Sequence, residues 1–225
     1  MIRINLRRHL KFINFFFLIS IIIFLITPLI DIKISSLFFS ENSFMSERYS
    51  IIKSIRILLK NLMIIIPIFS LFFFLFILKR KKKKELRFRL AVVGLLIGPI
   101  IGCGVIANLI FKENWGRARP VHITEFGGNK IFSNPFIRSD QCETNCSWIS
   151  GETSGAFSFM VGTIILRNHI FFICNWILGF FVFFCRLSMG GHFFSDNLFA
   201  LFLMLYLAYG YRYLVYLYIR NLSKR

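Results

Sequence analysis

Acidic side chains are scarce in this chain: Asp and Glu total 10 against 28 Lys and Arg, for a net charge of +18. In a soluble protein such an excess of cations points to nucleic acid. Here the cations fall between long apolar runs, where they set topology and meet anionic lipid headgroups, so no nucleic-acid partner is expected. Polar sequence is also in short supply. Hydrophobic residues make up 56% of the 225 positions, 30 of them Phe, and the mean hydropathy is +0.68. A soluble domain of this length has too little interior to hide that surface, which makes the bilayer the solvent. Cysteines number five and histidines four. Cys103, Cys174 and Cys185 sit in or near apolar runs as inert filler. Cys142 and Cys146 share a polar loop and, with only the distant His122 beside them, make a weak zinc signature. A disulfide is expected there rather than a metal, and no cofactor is expected elsewhere. No internal repeat is present. No small-x-small cleavage site follows the first apolar run, which ends Thr27-Pro28-Leu29-Ile30-Asp31, so that run reads as an uncleaved helix.

What the chain does have is a series of apolar stretches near 12–30, 61–78, 90–111, 155–166, 170–184 and 194–217. Crossing the hydrocarbon core takes about 20 residues of helix, so the fourth and fifth are short. The expected architecture is an all-α polytopic membrane protein, one domain over 1–225, with six transmembrane helices. In the third stretch Gly94, Gly98 and Gly102 form a small-xxx-small face for close helix packing, and Pro99 predicts a kink. Lys79 to Lys84 is an unbroken basic run. The positive-inside rule places it in the cytoplasm together with both termini and Arg167-Asn168-His169. It is also the expected contact for anionic lipids. Residues 31–60, 112–154 and 185–193 then fall on the opposite, periplasmic face of a bacterial inner membrane.

Three polar clusters lie on that face: Lys112-Glu113-Asn114-Trp115-Gly116-Arg117-Ala118-Arg119-Pro120, Ser147-Trp148-Ile149-Ser150-Gly151-Glu152-Thr153-Ser154-Gly155, and Arg186 to Asp196. If the chain is helical from His192 on, His192 and Asp196 share a face one turn apart, and the carboxylate orients the imidazole as a nucleophile. Lys112, Arg119 and Arg186 supply cations, and guanidinium forks match phosphate oxygens. Ser150 and Gly151 before a helix offer a hydroxyl and backbone N–H groups to an anion. Thr153 and Ser154 are expected to cap that helix. Arg117 is expected on the substrate. Together these groups equip a site for phosphoryl transfer without a metal.

Lys112-x6-Arg119-Pro120, Ser150-Gly151 and Arg186-x5-His192-x3-Asp196 resemble the three signatures of the type 2 phosphatidic acid phosphatase/haloperoxidase superfamily, membrane branch. The resemblance implies that His192 attacks phosphorus to form a phosphohistidine, oriented by Asp196. Lys112, Arg119, Arg186, Ser150 and the Gly151 N–H would stabilise the transition state. The second signature departs from the usual Pro-Ser-Gly-His, because Glu152 replaces the histidine that protonates the leaving group. Glu152 is a general acid if burial raises its pKa; nearby cations push the other way, which would leave it a substrate contact.

Phe111-Lys112-x2-Trp115-Gly116-Arg117-x-Arg119-Pro120, Cys142-x2-Asn145-Cys146-Ser147 and Gly190 to Asp196 are similar to the bacterial lipid A 4′-phosphatases, a group with an acidic residue at the same place. That likeness implies the 4′-phosphate of lipid A as substrate. The shared motifs fit undecaprenyl diphosphate or phosphatidylglycerol phosphate as well. A protein that binds or transports a phospholipid without cleaving it is the reading from another class, and Asp196 argues against it, since a pure anion binder has little need of a carboxylate. Oligomeric state is not legible.

Overall fold

A computed structural model describes residues 6–78, 86–166 and 168–223. The expected basic run at 79–84, Arg167 and the last two residues lie outside that description. The chain is mostly helical. Helix α1 (Leu6–Ile26) leads through the short α2 (Ile30–Ser36) and a small hairpin, β1 (Phe39–Ser40) with β2 (Ser43–Phe44), to α3 (Met45–Arg48) and the long α4 (Ser50–Leu78). Helix α5 (Leu86–Pro99) continues as a π-helical stretch, Ile100–Lys112, and ends in α6 (Glu113–Trp115). Pro99 has no N–H to give the ladder, and the wider winding begins at the next residue. An irregular loop follows, then α7 (Gly151–Ser158), α8 (Met160–Leu166), α9 (His169–Ser188) and α10 (Phe194–Leu222).

Among the described residues, five helical runs are long and apolar enough to cross a membrane: Leu6–Ile26, Ser50–Phe76, Leu86–His122, His169–Ser188 and Phe194–Leu222. The expected fourth span is not one of them. It is the pair α7 and α8, divided at Phe159, and its composition explains the difference. From Thr153 to Ile165 every residue is buried, and small groups recur at Gly155, Ser158 and Gly162, so this segment faces protein where the long helices face lipid. Phe12, Phe15, Phe72, Phe76 and Phe181 on α1, α4 and α9 are exposed apolar surface of the kind a bilayer covers.

The predicted glycine face packs on this central pair. A Cβ on Gly94 would fall 2.7 Å from the Val161 carbonyl oxygen, and one on Gly98 would fall 2.3 Å from that of Ser158. In return, a Cβ on Gly162 would meet Leu95 at 2.5 Å and the Ala91 oxygen at 2.6 Å. Gly162→Val therefore forces α5 and α8 apart, at a cost of about 1–3 kcal/mol, whereas Gly210, with open space around it, should accept Ala without loss. Thermal midpoints in detergent check this, and equal midpoints for the two variants would refute the packing.

Candidate active site

The first motif is assembled at the outer end of the π-helical stretch. Lys112 donates from Nζ to Asn145 Oδ1 at 3.0 Å. Arg119 donates from Nε and Nη2 to the Asn145 carbonyl at 3.2 and 2.7 Å. Asn145 sits in the left-handed region at φ 50°, inside a turn closed by a Cys142–Cys146 disulfide. One residue on a cross-linked turn thus holds both cations, a role sequence reading did not give to Asn145. Gly151 opens α7 beside them. A Cβ there would lie 2.9 Å from Asn108 Oδ1 and 3.2 Å from Lys112 Nζ, so the absent side chain lets the lysine rest against the start of the helix.

Arg186 arrives from the last turn of α9 with its side chain 4% exposed. Its guanidinium lies across the Gly191 backbone, where a Cβ would come within 2.5 Å of Nη2. Nη1 is 3.6 Å from Glu152 Oε1, and Nε has no hydrogen-bond partner among the described residues. An enclosed cation with unused donors suits an arriving anion.

His192 precedes α10 rather than lying in it, because Phe193 is the N-cap. The expected pairing of imidazole and carboxylate is correspondingly altered. Nδ1 donates to the Ser147 carbonyl at 2.8 Å, while Asp196 Oδ2 stands 3.6 Å away. With its proton fixed on Nδ1, the ring keeps its lone pair on Nε2. Burial, reinforced by the charges of Arg186 and Arg119, drives the His192 pKa down to about 3 despite Asp196. The ring is therefore neutral at physiological pH, as a nucleophile must be. Asp196 Oδ2 accepts from Phe193 N at 2.7 Å and from the Ser147 hydroxyl, so it fixes the backbone on both sides of the histidine.

Arg117 is corrected most. Expected on the substrate, it is fully enclosed, with ion pairs to Asp196 Oδ1 at 2.6 Å and Asp31 Oδ2 at 2.8 Å. It also donates to Ser195 Oγ and to the Ser133 carbonyl, both at 2.9 Å, and lies 4.3 Å from the centroid of the Phe193 ring. Asp31 completes the cluster by accepting from Ser195 N at 2.9 Å and from its hydroxyl. The signal for Asp31 was an acidic residue directly after the first apolar run, on the same expected face as the motifs.

Ser150 differs too. Its hydroxyl donates to Thr153 Oγ1 at 2.9 Å and accepts from Thr153 N at 3.4 Å, so Ser150 caps α7 in place of Thr153 and Ser154. Thr153 instead donates onward to Asn197 Oδ1 at 2.6 Å, tying α7 to α10.

Glu152 faces cations. Arg56 of α4 grips both carboxylate oxygens, with Nε 3.2 and 3.1 Å from Oε1 and Oε2 and Nη2 also donating to Oε1. Burial would raise the carboxyl, but the Arg56 hydrogen bonds and the Arg186 charge outweigh it and hold the pKa below the usual value. Glu152 at rest is a carboxylate, not the acid form considered from sequence. Arg56 was missed; a cation inside the apolar α4, on the expected outer side, was its trace.

Three motif cations, Lys112, Arg119 and Arg186, thus gather with Arg56 and the neutral His192 about the first turn of α7. The PAP2 superfamily model matches residues 93–220, more than half of the 225 residues. The chain belongs to the PAP2 superfamily. Within that superfamily it is similar to a lipid A 4′-phosphatase of Francisella tularensis subsp. novicida (strain U112), 37% identical over 120 residues, 52% of this chain and 54% of that protein. It is also similar to lipid A 4′-phosphatases of Rhizobium leguminosarum, 30% identical over 113 residues covering 49% of this chain and 47% of that one, and Rhizobium etli (strain ATCC 51251 / DSM 11541 / JCM 21823 / NBRC 15573 / CFN 42), 31% identical over 113 residues covering 49% and 42%. The chain spans about half the length of the curated relatives it matches. No solved structure is a significant match. Arg56 and Asp31 both precede the stretch matched to the superfamily.

Two outcomes check this geometry. Arg117→Ala leaves Asp31 and Asp196 buried without a counter-charge, at about 3–5 kcal/mol, and should collapse the thermal midpoint or the yield of folded protein; near-normal stability would refute the cluster. His192 is neutral when folded, with a pKa of about 3 against 6.5 for the free side chain. The unfolded chain therefore binds the extra proton, and the stability present above pH 6.5 declines as pH falls toward 3. His192→Gln should flatten that decline, as read from midpoints between these limits, and parallel curves for the two proteins would contradict it.

Proposed function

We propose that this protein is a metal-independent lipid phosphatase that removes the 4′-phosphate of lipid A through a phosphohistidine, a reading supported by its likeness to lipid A 4′-phosphatases. The observation that carries the chemistry is the neutral His192, its Nδ1 bonded to Ser147 O and its pKa about 3, beside Arg186, whose buried Nε has no partner among the described residues. His192 Nε2 attacks phosphorus in line. Lys112, Arg119 and Arg186 balance charge on the equatorial oxygens, and the N–H groups at the start of α7, Gly151 first, add to them. Water then cleaves the phosphohistidine. Asp196 acts by holding Phe193 N and Ser147, the backbone frame of the imidazole. Ser150 serves the site by setting the α7 N-terminus, and Arg117 by fixing Asp196.

The chain is a multi-pass membrane protein with five helical runs of spanning length among its described residues. We infer a single domain that crosses six times, with the buried α7–α8 pair as the additional crossing, and a site on the periplasmic side of a bacterial inner membrane. Both termini would be cytoplasmic, and the basic run at 79–84 would rest on anionic lipid. The disulfide in the first-motif turn is in keeping with an oxidising side for the site.

Purified protein with EDTA is offered lipid A, undecaprenyl diphosphate and phosphatidylglycerol phosphate side by side. Selective loss of the 4′-phosphate from lipid A is expected, falling by about 10⁴-fold or more in His192→Ala. Release from another lipid alone would move the substrate and keep the site. Saturable binding of all three with no release would sink the enzyme reading.

A further inference from the structure

A carboxylate is an odd neighbour for a phosphate dianion, since the two repel. Glu152 nonetheless stands in the first turn of α7, 3.6 Å from Arg186. It survives there as a carboxylate because Arg56 grips both of its oxygens. The side chains of this pair are 33% and 23% exposed, while His192 and Arg186 are buried, so the pair lies at a water-accessible edge of the site. Arg56 also belongs to no motif. It comes from α4, ahead of the matched stretch 93–220.

We propose that Arg56 is a substrate-phosphate ligand stored on Glu152: an arriving phosphate takes its guanidinium over, and the Glu152 so released becomes the acid that protonates the leaving group. The inference rests on the phosphatase reading above. Carboxylate and phosphate present the same paired oxygens to a guanidinium fork, so the exchange replaces one two-oxygen acceptor by another. A long, partly solvated side chain on a helix can swing between partners without moving the backbone. Stripped of Arg56 and set beside a dianion, Glu152 loses what kept it ionised, and it takes up a proton from the bulk solvent.

The steps balance. The bond from His192 Nε2 to phosphorus forms as the ester P–O bond breaks, and the proton on Glu152 passes to the departing oxygen, giving a free alcohol. Glu152, again a carboxylate, then takes a proton from the water that attacks phosphorus. The P–N bond breaks, inorganic phosphate leaves, His192 is neutral once more, and Glu152 returns its proton to solvent as Arg56 comes back to it.

The test uses the purified full chain with three phosphomonoesters: lipid A, an n-alkyl phosphate with a poor leaving group, and para-nitrophenyl phosphate, whose leaving group departs without a proton. Glu152→Gln should lower the ratio of alkyl to aryl kcat/KM, which reports the step in which the leaving group departs, by about 100-fold or more, the range of general acid catalysis. Arg56→Ala should raise KM for all three by about tenfold or more, the effect of losing a hydrogen bond to a charged group. An unchanged ratio in Glu152→Gln would overturn the acid, and an unchanged KM in Arg56→Ala would overturn the ligand. If the pair is only a strut between α4 and α7, both variants lose thermal stability, and turnover of the alkyl and aryl esters falls in equal proportion. Wild-type protein that releases phosphate from none of the three sinks the phosphatase reading itself, an outcome distinct from release with an unchanged ratio.

Discussion

Arg117 carries a charge to which water has no access, and the site is built around satisfying it. Two carboxylates enclose it, Asp31 and Asp196, and they arrive from opposite ends of the sequence. Taking three charges out of water is costly, and mutual attraction repays that only when geometry is tight and the remaining lone pairs are bonded. Ser195, Ser147 and the Phe193 N–H supply those bonds. The start of α2, the first-motif loop and the N-terminus of α10 are therefore clamped at one point. His192 sits one residue outside that clamp and inherits its position from it.

The basic groups divide into two layers with opposite duties. Arg117 lies behind the imidazole, saturated, and acts on structure. Lys112, Arg119 and Arg186 lie around the α7 N-terminus and are held by weaker means: an asparagine side chain, a carbonyl and a 3.6 Å ion pair. A cation that is already well bonded has little left to offer a substrate, whereas loosely held ones can turn their donors to a phosphate. Four arginines or lysines that look alike in sequence thus split by the company they keep, and charge alone does not distinguish them beforehand.

Much of this was legible in the residues. The apolar runs announced five of the long helices, the glycines at four-residue intervals located the packing of α5, and the order of the three motifs brought Lys112, Arg119, Gly151, Arg186 and His192 together. What escaped reading shares one physical cause: it depends on partners distant in the chain. The separation of Arg56 from Glu152 is 96 residues, and that of Asp31 from Ser195 is 164, and the local sign of each, a charge at the edge of an apolar run, does not name its partner. Arg117 was misread because a cation between two motif residues looks like part of the motif, and burial is a tertiary property. The π-helical stretch after Pro99 was foreseen only as a kink. The central pair α7–α8 gave one of the two short expected spans, and its small and hydroxyl-bearing residues suit protein surroundings better than lipid.

That last feature bears on how the molecule is made. Gly155, Ser158, Gly162 and Thr163 give the central pair little to gain from hydrocarbon, and the hydroxyls of Ser158 and Thr163 find acceptors inside the protein, at the Gly155 carbonyl and at Asn175 on α9. During synthesis this segment emerges after α5, which supplies one wall of its seat, but before α9 and α10, which supply the others. It cannot partition into lipid by itself and wait. Its seat closes only when α10 is in place, so the groups around the start of α7 come together after that helix is threaded and not before.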